Sequence, residues 1–493
     1  MKKLATLCVC LLSAAHLLAQ INELKRVSPE EMGISTADVT AMLDTLIGDR
    51  ATSIHSIIVM RKGAVVAEAY PKPFDMEYSH TLYSASKTFV SAAVGIAIAE
   101  NRLRLTDRVA TFFPEFLPDT IGDNLAQMTV RNLLTMSSGI EPDWVMRTIT
   151  TEWIPTWLRK TINLPGKDFK YDSIDTYLLS AIVSKVTGKT LLEYLNEKVF
   201  GPLHVTTAAW QISPEGFNTG GWGLYVQPET MAKFGQLLLD KGRWNGHQLI
   251  PEAWVEAMMS KQIENGGQGY GYQMWMGKRP GSASADGAYG QYIIIMPDKE
   301  LVVVVTECSV LGGGHHQRAI WELASKVKDE PLPASKAYQK AQRKWQSYEL
   351  PAAQGQKKAT ALLPEKTYTL EKNNYDWAQL SFSQLKEGVL MTITHQDGHV
   401  TPVALGYKQW KTTTTDAFPA YSILALGRFK GVEGPFHIAG TYGWSKEGRL
   451  DIVLHYVDWI TRLDMSVEFT EEGVVLHTIE NHQDWTRFTI KGK

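Results

Sequence analysis

Cysteine is scarce in this chain of 493 residues, which contains three. Two of them, Cys8 and Cys10, lie in an apolar run near the start, so Cys308 is the only cysteine in the rest of the sequence. One cysteine cannot form a disulfide framework, even in a compartment that would permit one. The fold must therefore be held together by its core.

An excess of charge of either sign is also absent, because 50 Lys and Arg residues stand against 52 Asp and Glu residues. The sequence has no basic block and no basic stretch interleaved with aromatic residues, which a nucleic-acid surface would need. We therefore expect no nucleic acid among the partners of this protein.

Long apolar runs are confined to the beginning of the chain. Lys2 and Lys3 precede an apolar run over residues 4–15, which has the length of a signal-peptide core and is too short to span a bilayer. The pattern predicts a secretory signal over residues 1–19, with cleavage after Ala15 as an open alternative, and hence a periplasmic or secreted protein. No later run reaches membrane-spanning length, so we expect no integral membrane segment after cleavage.

The residues after the signal divide into two parts. In the first, residues 20–329, two β-rich runs around Lys62-Gly63 predict a hairpin over residues 54–70. The runs "QYIIIMPD" and "ELVVVVTE" predict two further strands, and "HHQRAIWELASKVKD" predicts a closing helix. With mixed helix and loop in between, this part is predicted to be α+β: an antiparallel sheet built from both ends of the segment and flanked by helices.

The second part follows a predicted linker. Pro, Ala, Gln and Lys dominate residues 330–364, which we interpret as a partly helical linker. Residues 365–493 alternate apolar and polar residues between Gly-containing turns, which predicts a smaller all-β domain. Its tryptophans are expected to form an aromatic core rather than a ligand surface: Trp377, Trp410, Trp444, Trp459 and Trp485. The function of this domain is left open.

One stretch of the first part, "TLYSASKTFVSAAVGIAIAENRL", places Ser84 three residues before Lys87. The spacing alone is weak evidence, because common residue types fall at it by chance in a chain of this length. Two other pairs share it, and both are expected to be solvated surface residues: Ser325/Lys328 and Ser383/Lys386.

Ser84 has the chemical context that the other serines lack. Its hydroxyl is expected in the first turn of a helix, where free N–H groups favour developing negative charge, and Lys87 returns to the same face. An ordinary ammonium is no base at neutral pH, so burial or nearby positive charge must lower the pKa of Lys87. Small residues behind the pair, among them Gly95, would let other elements bury this helix. A serine that merely caps the helix is the alternative.

Several motifs together resemble the penicillin-binding-protein and serine β-lactamase superfamily, and most closely its class C-like hydrolases. In that family Ser-x-x-Lys is followed by Tyr-x-Asn or Tyr-x-Ser, which Tyr171-Asp172-Ser173 matches just before a predicted helix. The stretches "SPEEMGIS", "MTVRNLLTMSSGI" and "MAKFGQLLLDKGRWNGHQLIPEAWV" follow the family's order between about residues 27 and 325. A competing match, Tyr194-Leu195-Asn196, lies within an amphipathic helix and is interpreted as packing. The resemblance implies a β-lactamase/transpeptidase-like fold.

The third motif of the family, Lys-Thr-Gly or His-x-Gly, is missing. At its place the chain reads "ADGAYGQ" from Ala285, so a carboxylate, Asp286, stands where the family has a cation that helps to hold the substrate carboxylate. Electrostatics then favours a neutral or cationic substrate end, unless Asp286 points away and pairs with an Arg or Lys. The glycine-rich "GQY" strand resembles the 6-aminohexanoate-dimer hydrolase branch and related esterases. Ester or amide hydrolysis is therefore favoured over β-lactam chemistry.

The resemblance also implies roles for individual residues. Ser84 would attack an acyl carbon, with Lys87 and Tyr171 as general base and general acid. The backbone N–H groups of Ser84 and Ala288 would form the oxyanion hole. Ser173 would support Lys87. Asp286 and Gly287 would lie at the substrate.

No cofactor is implied, and a metal at the adjacent histidines of "GGGHHQR" is not expected, since sequence neighbours rarely bind one ion together. Cys308 is interpreted as a small buried residue.

Three hypotheses remain from the sequence. The first is an exported serine hydrolase acting on a small ester, amide or peptide. The second is a D,D-peptidase or β-lactamase of the same fold. The third is a catalytically weak protein that binds a cell-wall or protein partner through the C-terminal domain. An ordinary α/β-hydrolase is excluded, because Ser84 does not lie in a Gly-x-Ser-x-Gly elbow. The oligomeric state is left open.

Overall fold

The computed structural model describes residues 24–49, 51–309, 314–357, 363–423, 426–482 and 486–493. The predicted signal over residues 1–19 lies outside the described residues. The described α-helices are Thr36–Gly48, Ser86–Ala99, Asp123–Gln127, Val130–Leu134, Met146–Ile149, Trp153–Leu158, Ser173–Thr187, Leu191–Leu195, Pro228–Leu239, Glu252–Met258, Gly314–Lys326 and Tyr338–Gln346. No helix among the described residues combines the length and the apolar composition needed to cross a membrane.

The first part of the chain is built on a mixed sheet assembled from both of its ends, as predicted. The described strands run in the spatial order Lys25–Arg26, Ala64–Ala69, Thr52–Arg61, Leu301–Ser309, Gln291–Met296, Ala283–Gly287 and Trp275–Met276. All neighbours are antiparallel except the first pair, which is parallel. The hairpin turn falls at Lys62-Gly63, and both residues adopt positive φ.

Helices cover both faces of this sheet because its central strands are apolar on both sides. Val302 and Val304 face the core that contains the Ser86–Ala99 helix. Val303 and Val305 face the opposite core, as the two-residue period of a strand requires. The α+β class is confirmed. Short strands outside the sheet are His80–Thr81, Ala209–Trp210, Leu224–Val226, Arg243–Trp244 and His247–Gln248.

The predicted linker does contain a helix, Tyr338–Gln346, and this helix packs against the first part. Trp345 is 2% exposed, and its indole N–H donates to Thr40 Oγ1 at 3.1 Å. Lys344 Nζ forms an ion pair with Asp44 at 2.6 Å. The segment is thus fastened to the Thr36–Gly48 helix rather than free.

The C-terminal part is all-β, as predicted. Its described strands are Thr367–Thr369, Trp377–Leu385, Gly388–His395, Val400–Tyr407, Lys411–Thr415, Phe436–Trp444, Leu450–Tyr456, Arg462–Thr470, Gly473–Glu480 and Thr486–Gly492. The two ends of the sheet meet through backbone hydrogen bonds between Thr369 and Lys493 of 2.9 and 3.0 Å. The sheet is therefore nearly closed into a barrel. Trp377, Trp444 and Trp459 lie in its core, Trp410 is half-buried, and Trp485 lies outside the described residues.

One segment of the C-terminal part, residues 426–432, docks on the first part. The Leu426 N–H donates to the Arg147 carbonyl at 3.0 Å, and the Lys430 carbonyl accepts from Ile212 N–H at 2.6 Å. Gly431 has φ +82°, and a Cβ there would overlap the Ile212 side chain. This close approach brings the C-terminal part to the site described next.

Candidate active site

Ser84 lies in a 3-10 turn, Tyr83–Ala85, that leads directly into the Ser86–Ala99 helix. Ser84 was expected in the first turn of the α-helix, but the α-helix begins at Ser86, so Ser84 lies in the 3-10 turn just before it. The turn is anchored on both sides: Leu82 N–H donates to the Leu224 carbonyl at 2.9 Å, and Ser86 Oγ accepts from Leu224 N–H at 3.1 Å.

The helix behind Ser84 is buried along most of its length. A Cβ at Gly95 would overlap the indole of Trp254, so the small side chains do allow the close packing that the sequence indicated. The structure describes the two other Ser-x-x-Lys pairs as exposed: Ser325/Lys328 and Ser383/Lys386.

Lys87 places its amine beside the Ser84 hydroxyl. The Lys87 Nζ lies 3.0 Å from Ser84 Oγ, 2.8 Å from Ser173 Oγ and 2.5 Å from the Gly221 carbonyl oxygen. The side chain is 1% exposed. Burial lowers the pKa of Lys87 to about 7, because desolvation and the Arg147 charge outweigh the opposing carboxylate of Asp172. A large fraction of this amine is therefore neutral near pH 7.

The Tyr171-Asp172-Ser173 motif stands at the start of the Ser173–Thr187 helix. Asp172 caps the helix by accepting the Ile174 N–H at 2.9 Å, and this cap leaves Ser173 facing the Lys87 amine. The competing match is packing, as expected, since Tyr194 is 2% exposed.

The Tyr171 ring lies 4.9 Å from Lys87 Nζ and packs at 5.2 Å from the Trp275 ring. Burial raises the pKa of the Tyr171 phenol, against a hydrogen bond with Ser84 that lowers it. The phenol is therefore protonated at neutral pH.

The strand Ala283–Gly287, which stands where the family has its third motif, lies next to the Ser84 turn. A Cβ at Gly287 would overlap the Leu82 carbonyl, so only glycine lets the strand approach the Ser84 turn this closely. Burial raises the pKa of the Asp286 carboxyl to about 6, against hydrogen bonds with Ser284 and Gln317 that lower it. Its Oδ1 is buried without a hydrogen-bond partner among the described residues.

An open cavity of about 780 Å³ lies over Ser84. Ser84, Tyr171, Asp286, Gly287 and Ala288 line it, whereas Lys87 and Ser173 stand behind the serine. Other lining residues are Trp144, Arg147, Trp222, Trp275, Tyr421, Ile423, Arg428 and Trp459. The last four belong to the C-terminal part.

A family model described as Beta-lactamase matches residues 39–322 of the chain. The chain belongs to the beta-lactamase family. The match covers more than half of the sequence and ends before the C-terminal all-β part. The resemblance inferred from the motifs is thereby confirmed.

Relatives in this family share part of the chain. A 6-aminohexanoate-dimer hydrolase of Paenarthrobacter ureafaciens is 24% identical over 286 residues, which are 51% of this chain and 72% of the relative. A solved structure described as a 6-aminohexanoate-dimer hydrolase from Bacillus anthracis is 21% identical, with a TM-score of 0.51 over 62% of this chain and 87% of that chain. A beta-lactamase structure from Bacteroides dorei DSM 17855 is 16% identical, with a TM-score of 0.51 over 59% and 99%. The two structures share the fold.

The beta-lactamase-family motifs identify the residues at the bottom of the cavity around Ser84, which we call its floor. The sequence offered no signal for the residues that surround the floor, which we call the walls. Arg147 lies in a short helix with no motif of its own, and Arg428 and Trp459 lie more than 300 residues after Ser84. Trp459 belongs to the aromatic core, as expected, and also lines the cavity.

Two remaining sequence candidates lie apart from this site. Cys308 is a buried free cysteine, and burial raises the pKa of its thiol. His316 is buried against Glu307, and no group of three His, Cys, Asp or Glu side chains suited to a metal occurs within the described ranges. Residues 312 and 313 of the "GGGHHQR" run lie outside those ranges.

Proposed function

We propose that this protein is a serine hydrolase that cleaves a small ester or amide through an acyl-enzyme on Ser84. The observation that carries the proposal is the buried amine of Lys87, 3.0 Å from Ser84 Oγ. Its pKa of about 7 lets the amine accept the serine proton at neutral pH, which an exposed lysine could not do. A lysine buried only for packing would not need a serine hydroxyl and a cavity on its far side.

The proposed reaction has two halves. Ser84 Oγ bonds to the acyl carbon while its proton moves to Lys87 Nζ. The bond to the leaving oxygen or nitrogen then breaks, and the leaving group takes a proton from the Tyr171 phenol, which Lys87 restores. In the second half water bonds to the acyl carbon and gives a proton to the same pair, which passes it to Ser84 Oγ as the bond between Oγ and the acyl carbon breaks, so that the acid and the free serine are released. The raised pKa of the Tyr171 phenol keeps it protonated at neutral pH, so a proton is available to the leaving group.

The oxyanion hole is proposed to consist of the backbone N–H groups of Ser84 and Ala288. Support comes from the contact between Gly287 and the Leu82 carbonyl, which draws the end of the strand onto the Ser84 turn. Removing one such donor typically costs about 3 kcal/mol in the transition state.

Ester or amide cleavage is favoured over β-lactam cleavage. The chain has no Lys-Thr-Gly or His-x-Gly motif, and the strand residue beside the serine is Asp286. The name of the relative from Paenarthrobacter ureafaciens denotes a hydrolase of a 6-aminohexanoate dimer, which is consistent with an amide. A D,D-peptidase or β-lactamase and a catalytically weak binding protein are the alternatives.

The test is the intact mass of the purified protein after brief exposure to 4-nitrophenyl acetate and, separately, to a penicillin. Three proteins are compared: the wild type, Ser84→Ala, and Ser325→Ala, which removes the serine of an exposed Ser-x-x-Lys pair. We expect the wild type and Ser325→Ala to gain one acetyl group from the ester and nothing from penicillin, and Ser84→Ala to gain neither.

Each other outcome has one meaning. A penicilloyl adduct on Ser84 would support the D,D-peptidase or β-lactamase alternative. No adduct from either reagent together with no release of 4-nitrophenol above the Ser84→Ala level, or an equal adduct on Ser84→Ala, would refute the acyl-enzyme.

Export is a second part of the proposal. Lys2 and Lys3 before the apolar run support it. Expression of the full chain in bacteria, followed by fractionation and N-terminal sequencing of the product, tests it: the mature chain should begin after Ala19 or Ala15 and lie outside the cytoplasm. An uncleaved cytoplasmic product would contradict export.

A further inference from the structure

Two guanidinium groups line the same wall of the cavity over Ser84. Arg147 comes from the Met146–Ile149 helix of the first part, and Arg428 comes from the segment of the C-terminal part that docks beside it. The hydrogen bond of 3.0 Å from Leu426 N–H to the Arg147 carbonyl joins the two segments directly. The pair therefore exists only when both parts of the chain are in place.

The Arg147 guanidinium contacts two indole rings, whose centres are 6.5 Å apart and whose planes are inclined by 56°. Its Cζ lies 4.7 Å from the centre of the Trp144 ring and 4.9 Å from that of Trp222. Contact with aromatic rings orients a guanidinium while N–H groups at its edge stay available as donors. One of them, at Nε, makes a long contact of 3.4 Å with the Trp144 carbonyl.

Arg428 contacts one aromatic ring of the C-terminal part. Its Cζ lies 4.6 Å from the centre of the Tyr421 ring, and the Tyr83 hydroxyl donates to the Tyr421 hydroxyl at 3.3 Å. Tyr83 is the residue before the candidate nucleophile, so this arginine is positioned relative to Ser84. Its Nε is buried without a hydrogen-bond partner among the described residues.

Among the described residues, the two arginines lack a counter-ion of their own. Neither forms an ion pair with a carboxylate in the part of the chain that the structure describes. Burial, and after it the charge of Arg428, lowers the pKa of Arg147 to about 10, which leaves Arg147 charged at neutral pH. Asp286 is the other charged residue that lines the cavity. With Asp286 ionised, the lining carries a formal charge of about plus one, which a single carboxylate would balance.

We propose that Arg147 and Arg428 form an anion subsite that binds a carboxylate of the substrate while Ser84 attacks its ester or amide carbon. The proposal rests on the proposed function and narrows its substrate class to monocarboxylates. Guanidinium groups bind carboxylates in a planar, two-pronged geometry, and no carboxylate among the described residues engages the N–H groups of either arginine. The sequence predicted a neutral or cationic substrate end from the charge of Asp286 alone. The cavity lining also contains Arg147 and Arg428, which favour an anionic substrate end.

Matched esters test the subsite by kinetics. One pair places the carboxylate in the acyl group, mono-4-nitrophenyl glutarate against 4-nitrophenyl pentanoate. The other places it in the leaving group, 4-acetoxybenzoate against 4-acetoxybenzamide. The readout is the ratio of kcat/KM for the charged ester to that for its neutral partner, measured for the wild type, Arg147→Gln, Arg428→Gln and Lys408→Gln. Lys408 also stacks on a tyrosine ring, at 5.5 Å, but is exposed outside the cavity, so its variant controls for the loss of one cation.

The wild type should prefer the charged ester in at least one pair. Each arginine variant should lower that ratio by about tenfold to a hundredfold, which is the usual size of one charge-assisted hydrogen bond. Lys408→Gln should leave the ratio within twofold, and Arg428→Lys, which keeps a charge, should retain part of it. A wild type with no preference in either pair, or arginine variants with an unchanged ratio, would overturn the subsite.

A binding measurement separates failure of the subsite from failure of the proposed function. Calorimetry with the Ser84→Ala protein compares 4-acetamidobenzoate with 4-acetamidobenzamide, neither of which needs to be hydrolysed. Tighter binding of the carboxylate, lost when Arg428→Gln is added, supports the subsite even if no ester is cleaved. Equal binding of the two compounds overturns it even if Ser84 is acylated.

Discussion

The replacement of Lys87 by methionine tests the electrostatic basis of the proposed mechanism through protein stability. Lowering the pKa of this amine from 10.5 to about 7 corresponds to about 5 kcal/mol of preference for the neutral form, at about 1.36 kcal/mol for each pH unit. Methionine has nearly the same length and no proton to lose, so Lys87→Met removes this dependence on pH and little of the packing.

The sign follows from the number of protons bound in each state. Between pH 7 and pH 10.5 the unfolded chain holds a proton on Lys87 and the folded protein does not. Raising the pH therefore stabilises the folded wild type relative to the variant, by about 1.4 kcal/mol for each pH unit. Between pH 7.5 and pH 9.5 the difference should change by about 3 kcal/mol in favour of the wild type, and below pH 6.5 it should be constant.

The assay is urea unfolding followed by tryptophan fluorescence at several pH values, with the free energy of unfolding of Lys87→Met subtracted from that of the wild type. Other titrating groups cancel in this subtraction. Loss of the amine also leaves Ser173 Oγ and the Gly221 carbonyl without a partner, which shifts the difference equally at every pH. Lys408→Met, which removes an exposed amine, is the control and should show no such slope. A flat difference for Lys87→Met would mean that Lys87 keeps its ordinary pKa in the folded protein, and a general base at this position would be refuted.

Three further predictions concern Lys87, Gly95 and His455. The kcat/KM for a neutral ester should rise through about pH 7 as Lys87 loses its proton and level off above pH 8; a constant value from pH 6 to 8.5 would contradict this. Gly95→Ala should lower the free energy of unfolding by about 1 to 3 kcal/mol in urea denaturation, because its Cβ meets Trp254, whereas Gly48→Ala, where a Cβ meets nothing within 4 Å, should not. Burial lowers the pKa of His455 far below its usual value, so as the pH falls below about 6.5 the unfolded chain binds a proton at this residue before the folded protein does. The free energy of unfolding of the wild type should therefore fall by about 1.4 kcal/mol more per pH unit than that of His455→Phe. Parallel curves of urea midpoint against pH for the two proteins would contradict this.

The histidine prediction concerns the contact between the two parts of the chain. His55 Nδ1 lies 2.9 Å from His80 Nε2, and the ring of His455, from the C-terminal part, lies 6.3 Å from that of His55. Burial lowers the pKa of all three groups. None of these histidines was marked by a motif, because their proximity depends on how the two sheets dock.

The floor of the candidate site could be predicted because its chemistry is local in the sequence. Ser84 and Lys87 are three residues apart, and a helix returns positions three apart to one face. Tyr171 and Ser173 flank the capping residue of one helix. Gly287 lies so close to the Ser84 turn that any side chain with a Cβ would overlap the Leu82 carbonyl. The sequence predicted Ser84 inside the α-helix, whereas it lies just before the helix. The boundary between the 3-10 turn and the α-helix depends on hydrogen bonds to Leu224, more than 130 residues away.

By itself, the sequence determined the fold class, the central strands and the candidate side chains around Ser84, because each follows from periodicity, turn residues or motif spacing within a few tens of residues. The tertiary structure alone decided what surrounds that chemistry. Burial, which lowers the pKa of Lys87, is a property of the packed core, and the approach of Arg147 to Arg428 depends on the hydrogen bond between residues 147 and 426, which are 279 positions apart in the chain. Charged residues that come together only when the two parts of the chain dock leave no pattern in the sequence. The sign of the net charge of the cavity lining, and the substrate class proposed from it, could therefore be inferred only from the folded protein.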